Sequence, residues 1–194
     1  MMPWLDPSAL RAMLAARPVE RVAIEPPLRA AAVALVLAPL AERQPALLFI
    51  KRAEHPLDPW SGQIALPGGR HDHVDPDLLA TAVRETEEET GLQLSSADLV
   101  GELDDLSPVS PHLPPLVVRP FVFSIPAAPP VRLSSEVALH IWVPLDALAG
   151  HLTRETVHVR GLALDVAGYR IGPHFIWGMT ERIVTPFLAL ERHT

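Results

Sequence analysis

Strand-like apolar segments interleaved with a few helical ones, in mixed order, predict an α/β (α+β) protein in which a mixed β-sheet is sandwiched between α-helices. Three observations carry this expectation. The runs "RAAAVALVLAP" (29–39) and "ALLFIKRA" (46–53) are rich in the residues that suit a buried sheet. An amphipathic helical segment follows them, before a second set of strand-like segments. The 22 prolines cluster in "EPP" (25–27), "SPVSPHLPP" (107–115) and "IPAAPP" (125–130), so they punctuate one fold as rigid loops between apolar segments.

Taken in order, residues 7–17 ("PSALRAMLAAR") have helical spacing behind a short capping start. The two buried strands come next, and "GQIALPGG" (62–69) reads as a short strand running into a double-glycine turn. Asp75 and Pro76 then stand in the favoured order for a helix start, an acceptor at the cap and proline at the first helical position. That helix is expected to run to about Thr90, where Gly91 stops it. Further strands are read at 99–106, 115–125 and 138–145. Residues 159–178 look like a hairpin plus one more strand, with turns at Ala167–Gly168 and Gly172–Pro173. Residues 180–193 should close the chain as a helix interrupted or kinked near Pro186. The expected organisation is an N-terminal helical extension (1–28) before the main domain (29–194).

Composition narrows the function classes. The 194 residues, 48% hydrophobic, suffice for one domain with a substantial core. A formal net charge of −7 offers no basic footprint for a nucleic-acid backbone. Cysteine is absent, which excludes disulfides, thiolate zinc sites and thiol nucleophiles and suits a reducing cytoplasm. The opening "MMPWLDPSAL" carries Asp6 where a secretory signal needs a basic region and an apolar run, so no secretory signal is expected there. The apolar run 30–41 is interrupted by Pro39 and is too short to cross a bilayer, so no membrane partner is expected.

The helix read at 75–90 concentrates the chemistry. At about 100° per residue, Leu78, Leu79, Ala82, Val83, Thr86 and Thr90 form one stripe, expected to face the core. Glu85, Glu88 and Glu89 fall together on an adjoining face, and Glu87 lies nearly opposite. Glu85 and Glu89 repel at i,i+4, only Arg84 answers the three, and the acids lie in the half of the helix where the macrodipole disfavours anions. A plain solvated face is the common meaning of an acidic run, but a hard divalent cation would resolve this conflict, since Mg²⁺ takes carboxylate oxygens and keeps waters and substrate phosphates as its other ligands. Just upstream, "LPGGR" (66–70) supplies Gly68 and Gly69, where main chain can approach a ligand closely, and Arg70, available to an anion.

The stretch "GGRHDHVDPDLLATAVRETEEETGL" resembles the Nudix box. Arg84, Glu85, Glu88, Glu89, Gly91 and Leu92 match its second half, with Thr86 at the apolar position. With Gly69 as the opening glycine, Asp75 takes the place of the first glutamate, and one extra residue precedes Arg84. That variation, together with "SGQIALPGG", is similar to the coenzyme A pyrophosphatase branch of the Nudix hydrolases. The likeness extends more loosely through "GELDDLSP", "VVRPFVF", "SSEVALHIWVPL" and "HFIWGMTERI". Upstream, Lys51 and Arg52 are present, but Leu57 stands where that branch has a second arginine.

The resemblance implies a Nudix-type fold and a hydrolase that splits the pyrophosphate of a nucleoside diphosphate derivative with Mg²⁺ or Mn²⁺. Glu85, Glu88 and Glu89 would be the metal ligands and Arg84 would orient them. Glu136 in "LSSEV" is a candidate base, its alternative being a polar residue at a strand entry. Lys51, Arg52 and Arg70 are candidate phosphate contacts, with strand-end charges as the alternative for the first two. A homodimer is also implied. His71 and His73 in "HDH" lack a clear third ligand, and solvent-facing positions are favoured for them. Structural roles are favoured for the isolated His112 and His140. Trp60 and Trp177 offer base stacking or ordinary packing. Three other readings differ in one feature each. A related isomerase relies on a cysteine, a silent binding module loses box carboxylates, and a simple interaction domain predicts no metal binding.

Overall fold

The computed structural model describes residues 3–26, 28–55, 60–107, 115–159 and 161–190. His112 and Leu57 therefore lie outside the described residues. Asp6 starts the first helix, α1 (Pro7–Ala15), by accepting from the Ser8 and Ala9 amides at 2.9 and 3.3 Å, which satisfies donors that the first helical turn leaves without partners. Seven strands build the main sheet: β1 (Arg29–Pro39), β2 (Pro45–Arg52), β3 (Ile64–Ala65), β4 (Gly68–Arg70), β5 (Leu99–Glu102), β6 (Leu116–Ser124) and β7 (Val137–Pro144). The helix α2 (Leu78–Thr90) lies between β4 and β5 in the chain, and the single turn α3 (Leu145–Leu148) follows β7. A three-stranded antiparallel sheet of β8 (Leu152–Val159), β9 (Leu162–Ile171) and β10 (His174–Trp177) leads into α4 (Met179–Ala189).

The main sheet is mixed, as predicted. β1 and β6 run parallel over nine residue pairs, while β2, β4, β5 and β7 pair antiparallel with their neighbours. Its central strand changes partner midway along one edge: β1 pairs with β4 over residues 31–33 and with β2 over residues 37–39. That edge of β1 thus passes from β4 to β2 between residues 33 and 37, and the change of partner places β4 beside the site described below.

Because strand side chains alternate between faces, β1 serves two cores. Ala32, Ala34 and Val36 join Leu78 and Ala82 of α2 with Phe121 and Phe123. Ala31, Leu35 and Leu37 join Leu10 and Leu14 of α1 and Ile183, Val184 and Phe187 of α4. Helices accordingly cover both faces. Trp4, in a short 3-10 turn, packs its ring 4.8 Å from that of Phe187, so the N-terminal segment helps to close the second core. Beyond α1 the chain is tied along the β5 side. Arg17 grips Asp104 with two hydrogen bonds, the Asp105 amide donates to the Glu20 carbonyl at 3.0 Å, and Arg21 pairs with Glu102 and Asp105. Burial alone would raise the Asp105 carboxyl, but Arg119, the Val22 amide and Arg21 hold it below its ordinary value.

Three sequence expectations change. Gly68 and Gly69 form no turn: they are two of the three residues of β4, paired with Val33 and Ala32. A Cβ on Gly68, whose φ is +146°, would lie 2.2 Å from the Ala32 carbonyl oxygen, so the glycine permits close strand approach. Ala167–Gly168 is likewise no turn but lies within β9, opposite Arg154 and Thr153. There a Cβ on Gly168 would meet the Ile176 carbonyl oxygen at 2.4 Å. The turn at Gly172–Pro173 is present between β9 and β10. Finally, Asp77 caps α2, accepting from the Ala80 amide at 2.8 Å, and Asp75 is left for another task. Gly91 ends α2 in the left-handed conformation, φ +71°, as predicted, and α4 continues through Pro186.

Candidate active site

The side chain of Asp75 is buried and receives four donors. Arg84 approaches with Nε and Nη2, each at 2.9 Å, while Thr81 Oγ1 donates at 2.9 Å and the Asp72 amide at 3.1 Å. The Arg84 guanidinium beside it holds the Asp75 carboxyl well below the usual carboxylate range, overcoming the opposite effect of burial. Asp75 in turn raises Arg84, with Glu85 adding to the effect. His71 Nδ1 lies 2.8 Å from Thr81 Oγ1, so His71 belongs to this network, whereas His73 points to solvent and contacts Asp72. The network fixes the guanidinium at its far edge. The near edge, Nη1, reaches Glu85 Oε1 at 2.9 Å and Glu88 Oε2 at 3.1 Å.

The four acids of α2 separate by environment. Glu87 faces solvent and accepts from Gln93 Nε2 at 2.9 Å, while Glu88 is largely exposed. Glu85 is partly buried, its carboxylate lying over Gly69, where an added Cβ would fall 2.4 Å from it. Glu89 is only 5% exposed and accepts from the Gly68 amide at 2.9 Å. Helix periodicity assigned Leu79 and Val83 to the buried stripe, and they pack only partly buried, whereas Thr81 and Glu89 are buried instead. The reason is β4: two residues without side chains let a helix face close on the strand, and the buried carboxylate is satisfied by the strand's own amide.

Glu85 and Glu89 open into a cavity of about 490 Å³. Glu85, Glu89 and Glu136 line it together with Arg52, Arg70, Gly68 and Gly69. Lys51, Arg84 and Glu88 are not among its lining residues, nor is Trp177, and His140 sits in β7 opposite Ile50. Trp60 does line it, beside His55 and Gln63 from the same loop, and Met179, Thr180 and Ile183 of α4 close the other side. The last five were not singled out from sequence. Their types are ordinary for packing or loops, and only the fold brings them together.

Burial pushes the Glu89 carboxyl up to about 8; the Gly68 amide and Arg52 lower it, and Glu85 and Glu136 raise it further. Glu85 is also raised, chiefly by burial, with Glu88 and Glu136 adding and Arg84 opposing. Among the described residues no three His, Asp or Glu side chains already converge as a ligating group. Arg84 holds Glu85 and Glu88, and Glu89 is turned to Gly68. The donor set nevertheless suits a hard divalent cation, since it consists of carboxylate oxygens whose mutual repulsion a cation would relieve. Carboxylates and arginines around one cleft, in a mixed sheet between helices, are a combination that can take up a phosphate together with a metal ion.

The comparisons with known proteins agree. The NUDIX domain family matches residues 27–163, and the chain is 37% identical over 163 residues to the uncharacterized Nudix hydrolase NudL of Escherichia coli O1:K1, covering 81% of each chain. The chain belongs to the Nudix family. It is a pyrophosphohydrolase acting on a nucleoside diphosphate derivative, and Nudix hydrolases generally use divalent metals. Among solved structures, a MutT/nudix family protein from Enterococcus faecalis matches with a TM-score of 0.60 at 19% identity, covering 88% of this chain and 64% of that one. The NUDIX domain of Shewanella oneidensis NrtR, solved with ADP ribose, matches with a TM-score of 0.51 at 19% identity, covering 69% of this chain and 79% of that one.

Proposed function

We propose that this hydrolase cleaves the pyrophosphate of coenzyme A or an acyl-coenzyme A, with Mg²⁺ or Mn²⁺ held by Glu85, Glu88 and Glu89. The observation that carries the site is the close packing of α2 on β4 at the cavity wall: Glu89 on the Gly68 amide and Glu85 over Gly69. The substrate is supported by the likeness of "SGQIALPGG" and of the box with its extra residue to the coenzyme A branch. A divalent cation bound there would neutralise phosphate oxygens and lower the pKa of a water molecule.

The chain's own groups supply the rest. Asp75 anchors Arg84, and Arg84 keeps Glu85 and Glu88 within reach of one another against their repulsion. Arg52 and Arg70 present positive charge to the diphosphate, and the β4 glycines allow it to approach the main chain. Glu136, at the entry to β7 and on the cavity wall, accepts the proton of the attacking water. Lys51 is assigned a supporting charge beside Arg52, and Trp60 a stacking surface for the base. The enzyme is assigned to the cytoplasm on its cysteine-free composition and to a homodimer on the family resemblance, with residues 1–28 as an extension of the catalytic domain.

The test is a substrate panel of coenzyme A, ADP-ribose, NADH, dinucleoside polyphosphates and nucleoside triphosphates, with and without Mg²⁺ or Mn²⁺. Metal-dependent release of a nucleotide and 4′-phosphopantetheine from coenzyme A supports the proposal. Inert coenzyme A beside rapid cleavage of another diphosphate overturns the substrate assignment alone. ADP-ribose is the second substrate of interest because the NrtR domain binds it. Metal titration into Glu88→Gln and Glu89→Gln variants tests the ligand set, and unchanged affinity in both would refute it.

A further inference from the structure

The cavity has two chemically different walls. Glu85, Glu89, Glu136, Arg52 and Arg70 give one part of the lining its charge, and they come from α2, the approach to β7, β2 and β4. The other is aliphatic: Val33 of β1, Leu116 and Val118 of β6, and Met179 and Ile183 of α4. Several polar groups on and beside it are already engaged. Thr180 Oγ1 donates to the Ile64 carbonyl at 3.2 Å. The Val118 amide and carbonyl both pair with Leu106 at 2.8 Å, the Ala34 amide donates to the Pro67 carbonyl, and the Ala30 carbonyl accepts from the His71 amide. A ribose or a base edge laid on the side chains of Val33, Leu116, Val118 and Ile183 would give up water to groups that offer no hydrogen bond, at about tenfold in affinity for each buried hydroxyl. A methylene chain laid there would gain about fourfold for each carbon buried.

We propose that the wall formed by Met179, Ile183, Leu116, Val118 and Val33 is a specificity subsite for an apolar segment of the group attached to the nucleoside diphosphate, and that it discriminates against a sugar or second nucleoside at that position. This rests on the reading of the site as a diphosphate hydrolase and adds the chemical class of the leaving arm. α4 is then a specificity element, with no part in the chemical step.

The experiment uses ADP esters of straight-chain alcohols from methyl to octyl, with ADP-ribose as the hydroxylated comparison. Affinity is measured by calorimetry in EDTA, and kcat/KM with Mn²⁺. Expected are a rise in metal-free affinity of about fourfold per carbon over the first several carbons, a heat capacity of binding that grows more negative with length, and weaker binding of ADP-ribose than of the longer esters. Met179→Gln, at a partly exposed position that tolerates a polar side chain, should flatten the length dependence. Ile183→Val should reduce it without disturbing the fold. Length-dependent binding without cleavage of any ester leaves the subsite standing and sinks the hydrolase reading. Cleavage with no length dependence, or equal preference for ADP-ribose, overturns the subsite and leaves the hydrolase reading intact. Absence of binding by every ester overturns it as well.

Discussion

Replacing Asp75 by Asn keeps the shape of the side chain and removes its charge, which makes it a sharp test of the network behind Arg84. The wild-type carboxylate accepts four hydrogen bonds, two from one guanidinium, at a side chain only 5% exposed. Asn retains one acceptor oxygen and turns an amide N–H₂ toward a cation, so at least one Arg84 bond and the ion pairing are lost together. Removing one partner of a buried pair costs about 3–5 kcal/mol, whereas an exposed pair is worth about 0–1 kcal/mol. Arg84 retains Glu85 and Glu88 and is partly exposed, so the expected loss is near the lower end, about 3 kcal/mol. For a domain of this size that lowers Tm by roughly 6–12 °C. The assay is urea and thermal unfolding of Asp75→Asn, Arg84→Gln and the double variant, where the cycle should give a coupling of about 2 kcal/mol. The pH dependence has a fixed sign. A carboxylate whose folded pKa is depressed contributes stability above its unfolded pKa and loses it as pH falls toward the folded value. The difference between wild type and Asp75→Asn should therefore be flat from pH 8 to about 5 and shrink below about pH 4. A loss under about 1 kcal/mol, or a coupling near zero, refutes the claim that Asp75 anchors Arg84.

Glu89 predicts the opposite slope. Its folded pKa is raised, so metal-free protein should lose stability as pH rises from about 4.5 through about 8. Glu89→Gln in EDTA should melt higher than wild type at pH 8.5 and gain less from added Mn²⁺. Gly69→Ala places a Cβ 2.4 Å from the Glu85 carboxyl carbon and should reduce kcat/KM by at least about tenfold, since displacement of that carboxylate is felt as lost positioning. Gly68→Ala meets a main-chain oxygen and a positive φ, and urea unfolding should show a loss of about 2–4 kcal/mol. Glu87→Gln should change both kcat/KM and stability within about 0.5 kcal/mol, because its exposed carboxylate accepts from Gln93 at the surface. Deleting residues 1–28 uncovers Phe187 and the β5 edge, and the expected result is loss of a cooperative melt.

The parts legible in the sequence were those set by local rules. Continuous apolar runs gave β1 and β2, periodicity and Gly91 gave α2, and the projection of its acids separated Glu87 from the others. Local rules misassigned β4 because a glycine pair is the ordinary mark of a turn, and only the partner strand reveals that the missing side chains serve close approach. The same holds for Gly168 in β9. Asp75 ahead of a proline satisfied the rule for a helix cap, while Asp77 two residues later satisfied it equally, and the guanidinium nine residues on decides which carboxylate is free to cap. Glu89 belongs to the acidic face by projection, and its burial depends on a strand 21 residues away. The wall contributed by α4 left no mark in the sequence, since Met179 and Ile183 have the spacing of any core-facing helix and become cavity residues only through the sheet they face.

The partner change along β1 has a consequence for how this molecule can diverge. Glu85 and Glu89 come to the cavity from α2 against β4, the aliphatic wall comes from β1, β6 and α4, and Gly68 and Gly69 line the same cavity. Mutations that remodel α4 or β6 can therefore alter what leaves with the second phosphate while the reacting centre keeps its shape. The two glycines lack that freedom, since a side chain at Gly68 would collide with the Ala32 main chain and one at Gly69 with the Glu85 carboxylate. Such an arrangement lets selectivity drift over generations around a fixed chemistry, with Gly68 and Gly69 as the hinge pins of that inheritance.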